Sequence, residues 1–196
     1  MKKMVFTQEA YDEIMETVAT LPAETGGILL GNRDDFIVQK FIFDDSGSRG
    51  PTSYDPDIGS LNKKIKYEWE ENQLALLGFI HSHPRGYARL SGDMGNGIGD
   101  IGYIKKIFSY IDALDKFLVP IIFPNADGGK YEIFPFMARR GDEDNYETLP
   151  LEIISEYKVK SDASDKIISI DNNDVKKNLK MSELGEKNVT PTHEKI

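Results

Sequence analysis

The sequence predicts an α/β fold, a mixed β-sheet flanked by helices, followed by a poorly ordered polar tail. Three observations predict it. Short apolar runs of strand length alternate with segments whose apolar residues recur at helical spacing. Two of those runs, 117–123 (FLVPIIF) and 130–137 (KYEIFPFM), flank the turn-forming stretch 125–129 (NADGG), as the arms of a hairpin do. Beyond Tyr157 there is no aromatic residue, and 158–196 is dominated by Lys, Asp, Ser and Asn, which bury too little apolar surface to order a chain.

Taken in order, Thr7 is placed to cap a helix along which Tyr11, Ile14, Met15 and Val18 recur and which Pro22 closes. Residues 24–31 form an apolar strand with glycines at its start. Residues 36–43 form a second, joined to the first by a polar turn at 32–35. Residues 44–57 (DDSGSRGPTSYDPD) read as a loop. Ile58, Leu61, Ile65 and Trp69 mark an amphipathic helix, and 74–83 (LALLGFIHSH) a largely buried strand. The glycine-rich stretch 84–99 is irregular. Ile101, Ile104, Ile107, Phe108 and Ile111 then give a helix that opens at Asp100. Pro120 and Pro135 interrupt the two hairpin strands, so edges or bulges are expected there. Residues 151–154 add a last strand. The chain thus divides into a folded domain, 1–157, and a tail, 158–196, whose one apolar patch is 167–170.

The 196 residues suit one domain with a real core. With 39% hydrophobic and 29% charged residues the balance is that of a soluble protein, and no apolar run is long enough to span a membrane. The opening MKKMVFTQEA meets acids too soon to be a secretory signal. The absence of cysteine excludes disulfides, thiolate nucleophiles and cysteine zinc sites, and fits a cytoplasmic location. A net charge of −9 speaks against a nucleic-acid partner. Oligomeric state is not legible.

Only three histidines are present, and two of them, His81 and His83, stand two apart at the end of a strand. That spacing puts both imidazoles on one face. A pair of surface histidines would look the same, but Pro84 stops the strand directly after them. Ser91, Asp93 and Asp100 follow in a loop too rich in glycine to pack, and the third histidine, His193, lies in the tail. Two imidazoles and a carboxylate, without thiols, are a natural zinc set, and a catalytic zinc takes three protein ligands.

The run Gly78-Phe79-Ile80-His81-Ser82-His83-Pro84, followed after seven residues from His83 by Ser91, resembles the metal motif of the JAB/MPN (JAMM) metallopeptidases, the prokaryotic branch above all. That family's pattern is His-x-His, seven residues, Ser, two residues, Asp, with a glutamate upstream beside a glycine-rich apolar strand. Here the glutamate is Glu24, before Thr25-Gly26-Gly27. The resemblance spans roughly residues 5–137. It implies a JAB/MPN, cytidine-deaminase-like sandwich holding one zinc per chain. It also implies hydrolysis of a peptide or isopeptide bond in a protein or peptide substrate, the C-terminus of a ubiquitin-like protein included. Zinc would activate a water, Glu24 would take its proton, and Ser91 would help to stabilise the oxyanion.

The chain departs from the pattern at one place. Position 94, where the aspartate is expected, is Met94, and Asp93 comes one residue early. Asp100 follows a glycine-rich insertion and opens the next helix, where the family places its ligand. Gly95, Gly97 and Gly99 disfavour helix around Asp93. Helix position therefore favours Asp100 as the third ligand and motif spacing favours Asp93. The glycines suggest a groove of low side-chain bulk beside the metal, with 46–56 as the opposite wall. Three rival functions remain open at this level: a catalytically silent interaction module, a small-amide hydrolase, and a DNA-linked role that the acidity disfavours.

Overall fold

The computed structural model describes residues 2–22, 24–123, 131–155 and 157. The expected turn at 125–129 and the expected tail, 158–196, with its patch at 167–170, lie outside the described residues. Twelve strands and three helices follow in the order β1 (Met4–Thr7), α1 (Gln8–Glu16), β2 (Gly26–Gly31), β3 (Ile37–Phe43), β4 (Ser48–Gly50), β5 (Ser53–Asp55), α2 (Ile58–Asn72), β6 (Ala75–Ser82), α3 (Asp100–Tyr110), β7 (Lys116–Leu118), β8 (Ile121–Phe123), β9 (Glu132–Phe134), β10 (Phe136–Arg139), β11 (Glu147–Thr148) and β12 (Leu151–Ile154). The fold is the expected α/β arrangement of a mixed sheet with helices around it. No helix among the described residues is long and apolar enough to cross a membrane.

The main sheet runs β11-β10-β7-β6-β2-β3-β1-β12, with β8 joined to β6 and β9 to β8. β6 and β2 are antiparallel at its centre, Gly26 opposite His81 and Ile28 opposite Phe79. β7 and β8 both lie parallel to β6, at Gly78↔Leu118 and His81↔Ile121. Pro120, which lacks an amide hydrogen for the ladder, separates them, and Pro135 separates β9 from β10 in the same way.

One face of the sheet is closed by α1, whose Ala10 and Ile14 join Met4, Phe6, Leu29, Phe41, Leu77 and Ile80 in the largest core cluster. On the other face Leu61 of α2 packs on Ile28 and Leu30, while Ile101, Ile104 and Phe108 of α3 pack with Phe79, Phe117 and Ile121. A register shift opposite Leu29/Leu30 leaves Leu77 as an extra residue in β6. Because of this bulge Leu77 and Ile80 enter the same core although they are three apart, and Phe79 turns toward α3.

The helix ends follow local chemistry. Thr7 Oγ1 accepts the Ala10 amide at 3.3 Å, and Asp57 accepts the Ser60 amide at 3.0 Å. At the end of α3 the Arg140 guanidinium donates to three carbonyls, Phe108 at 2.6 Å, Ile111 at 2.6 Å and Leu114 at 3.0 Å. A planar cation there satisfies groups the helix leaves open and complements its dipole.

Three elements depart from expectation. β1 is only four residues long, with Met4 and Phe6 buried, too short for its alternation to stand out. The region 44–57 is not a plain loop but holds the β4–β5 hairpin. α3 stops at Tyr110 rather than running on with the apolar pattern, because Ile111 and Leu114 are held in a turn after it.

Candidate metal centre

The hairpin of 44–57 is tied down by a wholly buried carboxylate. Asp44 accepts hydrogen bonds from the Gly47 amide at 3.0 Å, the Tyr54 hydroxyl at 2.7 Å and the Asp57 amide at 2.9 Å. Tyr54 so held stacks on Phe79, with ring centroids 5.7 Å apart and 4° between planes. Phe79 in turn stacks on His81 at 4.9 Å. The same hairpin offers the Gly50 carbonyl to the Glu24 amide at 2.8 Å. β4–β5 thus braces both an imidazole and the glutamate identified from sequence.

His81 is the next-to-last residue of β6, and His83 lies just past its end, fixed by its amide to the Ile122 carbonyl at 3.0 Å. Both imidazoles are buried, and their Nε2 atoms are 2.7 Å apart. Asp100, first residue of α3, meets both: Oδ1 lies 3.0 Å from His81 Nε2, and Oδ2 lies 3.4 Å from His83 Nε2. The ligand atoms of His81, His83 and Asp100 all fall within 4.8 Å of one another.

This donor set fits a divalent cation. Two facing Nε2 atoms cannot both direct a hydrogen along the line between them, whereas one cation between them and the carboxylate uses all three lone pairs. His83 Nδ1 lies 3.0 Å from the Tyr87 carbonyl, which can only accept; the hydrogen therefore sits on Nδ1 and Nε2 keeps its lone pair for the site. His81 Nδ1 is buried without a hydrogen-bond partner among the described residues, so packing against Phe79 sets the orientation of that ring.

Ser91 and Asp100 form a reciprocal pair. The Asp100 amide donates to Ser91 Oγ at 2.8 Å, and Ser91 Oγ and the Ser91 amide both donate to Asp100 Oδ2, at 2.8 and 2.7 Å. The serine hydroxyl hydrogen is spent on the carboxylate, so Ser91 orients Asp100 here and would have to rotate to meet an oxyanion. Asp93 stands apart. Its carboxylate accepts the Gly95 amide at 2.8 Å and faces Lys105 at 3.4 Å. Of the two candidate aspartates the structure brings only Asp100 to the histidines.

The electrostatics follow these contacts. Burial works against ionising Asp100, but the two imidazoles and the Ser91 amide outweigh it and hold the carboxyl well below its usual range. Burial likewise works against charge on His83, and Asp100, the Tyr87 carbonyl and Glu24 more than offset it, raising that imidazole. Glu24 is raised, first by burial and then by Asp100, with His81 and His83 pulling the other way. Its carboxylate makes no hydrogen bond among the described residues.

All of these groups line one cleft of about 980 Å³, walled on one side by residues 52–56 of the hairpin and on the other by the loop after His83. Tyr103, one turn after Asp100 on α3, also lines it and packs on Phe79. Burial, then Asp44 and Asp55, push its phenol up to about 12. Sequence alone does not single out Tyr54, Tyr103 or Asp44. Only Tyr103 carried a signal, since three residues on from Asp100 it shares that residue's helix face.

A family model described as prokaryotic homologs of the JAB domain matches residues 7–93, ending where the 94–99 insertion begins. Among solved structures, the solution structure of a protein from Desulfitobacterium hafniense is similar. The TM-score is 0.57 with 20% identity, over 79% of this chain and 95% of that one. This likeness speaks for the fold. No curated protein gives a significant match.

Proposed function

We propose that this chain, a member of the prokaryotic JAB-domain homologs through residues 7–93, is a zinc-dependent hydrolase of peptide or isopeptide bonds. The observation that carries the reading is the meeting, in one cleft, of a His81, His83 and Asp100 donor set with the carboxylate of Glu24, which belongs to no ligand group.

His81, His83 and Asp100 would hold the zinc ion, which when bound would supply Lewis acidity toward a carbonyl and a water. The remaining work falls to the chain. Glu24, raised by burial and unencumbered by hydrogen bonds, takes a proton from the attacking water and returns it to the leaving amine. Ser91 keeps Asp100 in register, and its hydroxyl, beside the ligand set, is a donor that can turn toward a developing oxyanion. The β4–β5 hairpin holds Glu24 from behind through Gly50. Asp93 acts at a distance, anchoring the following loop to α3 through Lys105.

The cleft is open between two walls and large enough for several residues of an extended chain, which favours a protein or peptide substrate over a small amide. The C-terminal tail of a ubiquitin-like protein is one such segment. The retained donor set and glutamate favour catalysis over a silent module. A cytoplasmic setting, without a nucleic-acid or membrane partner, belongs to the same reading and rests on the missing cysteines and the charge of −9.

The test is metal analysis joined to turnover. The purified chain should carry about one zinc, lost in the His81→Ala, His83→Ala double variant. Glu24→Gln should keep zinc and melting temperature while hydrolysis of peptide and ubiquitin-like conjugates falls by roughly 10²–10⁴. Zinc retained by the double variant, or near-normal turnover by Glu24→Gln, would sink the proposal.

A further inference from the structure

We infer that the 94–99 segment is a built shelf that selects an apolar side chain on the acyl side of the scissile bond, an inference that rests on the hydrolase reading above. Of the nine large hydrophobic side chains exposed among the described residues, three line this one cleft: Tyr87 at 61%, Met94 at 68% and Ile98 at 57%. Large apolar surface gathered at a concave site marks a place where a ligand covers it.

The shelf is ordered by its own bonds. The Met94 amide donates to the Ile98 carbonyl at 3.1 Å, and the Ile98 amide to the Gly95 carbonyl at 3.0 Å. Gly95, Asn96 and Gly97 all take positive φ, which closes a tight turn between the two apolar residues. The entry to the turn is pinned by Asp93, through the Gly95 amide and Lys105, and Lys105 is itself held by Asp144 at 2.9 Å. The exit is pinned by the Ile101 amide on the Ser91 carbonyl at 3.1 Å. A segment with this many internal contacts is not a slack glycine loop. It presents Met94 and Ile98 to the cleft beside Ser91 and Asp100 at fixed places.

The chemistry of the occupant follows. Three carboxylates, Glu24, Asp55 and Asp100, line the same cleft against one cation, Arg89, so the balance disfavours an acidic side chain, and Met94 and Ile98 offer apolar contact over the buried Leu90. Leucine, methionine or phenylalanine would cover the shelf, and glycine would leave it wet. This chain's departure from the Ser-x-x-Asp spacing creates the shelf. The shelf argues for an acyl residue bulkier than the glycine that ends many ubiquitin-like tails.

Hydroxamates chelate zinc and so place their side chain beside the metal without needing the true substrate. N-acetyl-leucine hydroxamate and N-acetylglycine hydroxamate are titrated calorimetrically into the zinc-loaded full chain, after metal analysis. The leucine compound should bind roughly tenfold or more tighter. Met94→Ser with Ile98→Ser should bring the ratio near one, and Met94→Leu with Ile98→Val should restore it. Equal affinities in the unaltered chain, a preference that survives the serine variant, or a zinc-loaded chain that takes neither compound overturns the shelf and leaves the metal reading standing. A chain that holds no zinc overturns the hydrolase reading and the shelf with it.

Discussion

Replacing Asp44 by asparagine should loosen the wall that braces the site without unfolding the domain. The carboxylate is wholly buried and accepts three hydrogen bonds, from Gly47, Tyr54 and Asp57. Bonds to a charged acceptor contribute about 1.5–3 kcal/mol each. Asparagine keeps one oxygen, which can serve Tyr54 and Asp57 at roughly half that strength. Its NH₂ then faces the Gly47 amide, donor against donor, so that bond is lost outright. The total is about 3–6 kcal/mol, all of it within residues 44–57. Because the hairpin can open alone, the loss appears as local opening more than as global instability. The Glu24 amide, bonded to Gly50 of that hairpin, reports it. Its hydrogen exchange should speed up by roughly 100-fold or more, tenfold per 1.4 kcal/mol. The Leu29 amide in central strand β2 should be nearly unchanged. Amide exchange followed by NMR on the full chain separates the cases. Unchanged exchange at Glu24, or an equal rise at Leu29, would refute the idea that Asp44 acts through the hairpin.

Three further outcomes follow from the site. Asp100→Asn should lower zinc affinity sharply, and Asp93→Asn by no more than the ~10–100-fold of an outer partner, as read by competition with a chromophoric chelator; the reverse ranking would return the ligand role to Asp93. Tyr103 is accommodated as a neutral phenol with its pKa pushed up to about 12 from 10.0, so its contribution is full below about pH 10 and is lost as pH rises toward 12. Unfolding free energy from denaturant titrations should fall by at most about 2.7 kcal/mol across that range on this account, and Tyr103→Phe should remove that part of the pH dependence or the attribution fails. Ser82→Ala should cost about 1–3 kcal/mol in chemical denaturation, since the buried Ser82 hydroxyl accepts the Thr25 amide at 3.0 Å; a neutral substitution would mean that Thr25 finds another acceptor.

The parts of the fold that could be read from sequence are those where one physical signal dominates. The His81-Ser82-His83 run at a strand end, the capping Thr7 and the prolines at 120 and 135 each constrain the backbone within a few residues. Asp44, Tyr54 and the β4–β5 hairpin were illegible because their role depends on contacts reaching from one loop to another strand. The sequence DDSGSRGPTSYDPD has the composition of any loop, and nothing local tells that its second aspartate from the start is less useful than its first. The bulge at Leu77 was hidden for the same reason: it arises from pairing with β2, not from the residues of β6. The 94–99 segment is legible only in part. Gly92, Gly97 and Gly99 do line the cleft, but composition does not tell that the glycines also make the turn that carries Met94 and Ile98 on its wall.

The position of the site follows from strand direction. β6 ends where β2 begins, because the two are antiparallel with Gly26 opposite His81. The residue pair that leaves β6, His81 and His83, must therefore meet whatever precedes β2, and that is Glu24. The contact is made firm by the residue between the histidines. Ser82 turns away from the metal face, its amide donating to the Thr25 carbonyl at 2.8 Å and its hydroxyl accepting the Thr25 amide. Gly26 is required at this crossing, since a Cβ there would stand 2.4 Å from the Ile80 carbonyl and 2.9 Å from the His81 Cβ. His-x-His and Glu-x-Gly-Gly are thus two halves of one structural statement. The first supplies nitrogen ligands on one face and a lock on the other. The second supplies a carboxylate at the distance the lock dictates and a backbone slim enough to let the strands close. α3 then brings in Asp100 at its first turn, held by Ser91, so that ligands and base come from three separate elements: the sheet sets the histidines against Glu24, and the Ser91 contact adds the carboxylate.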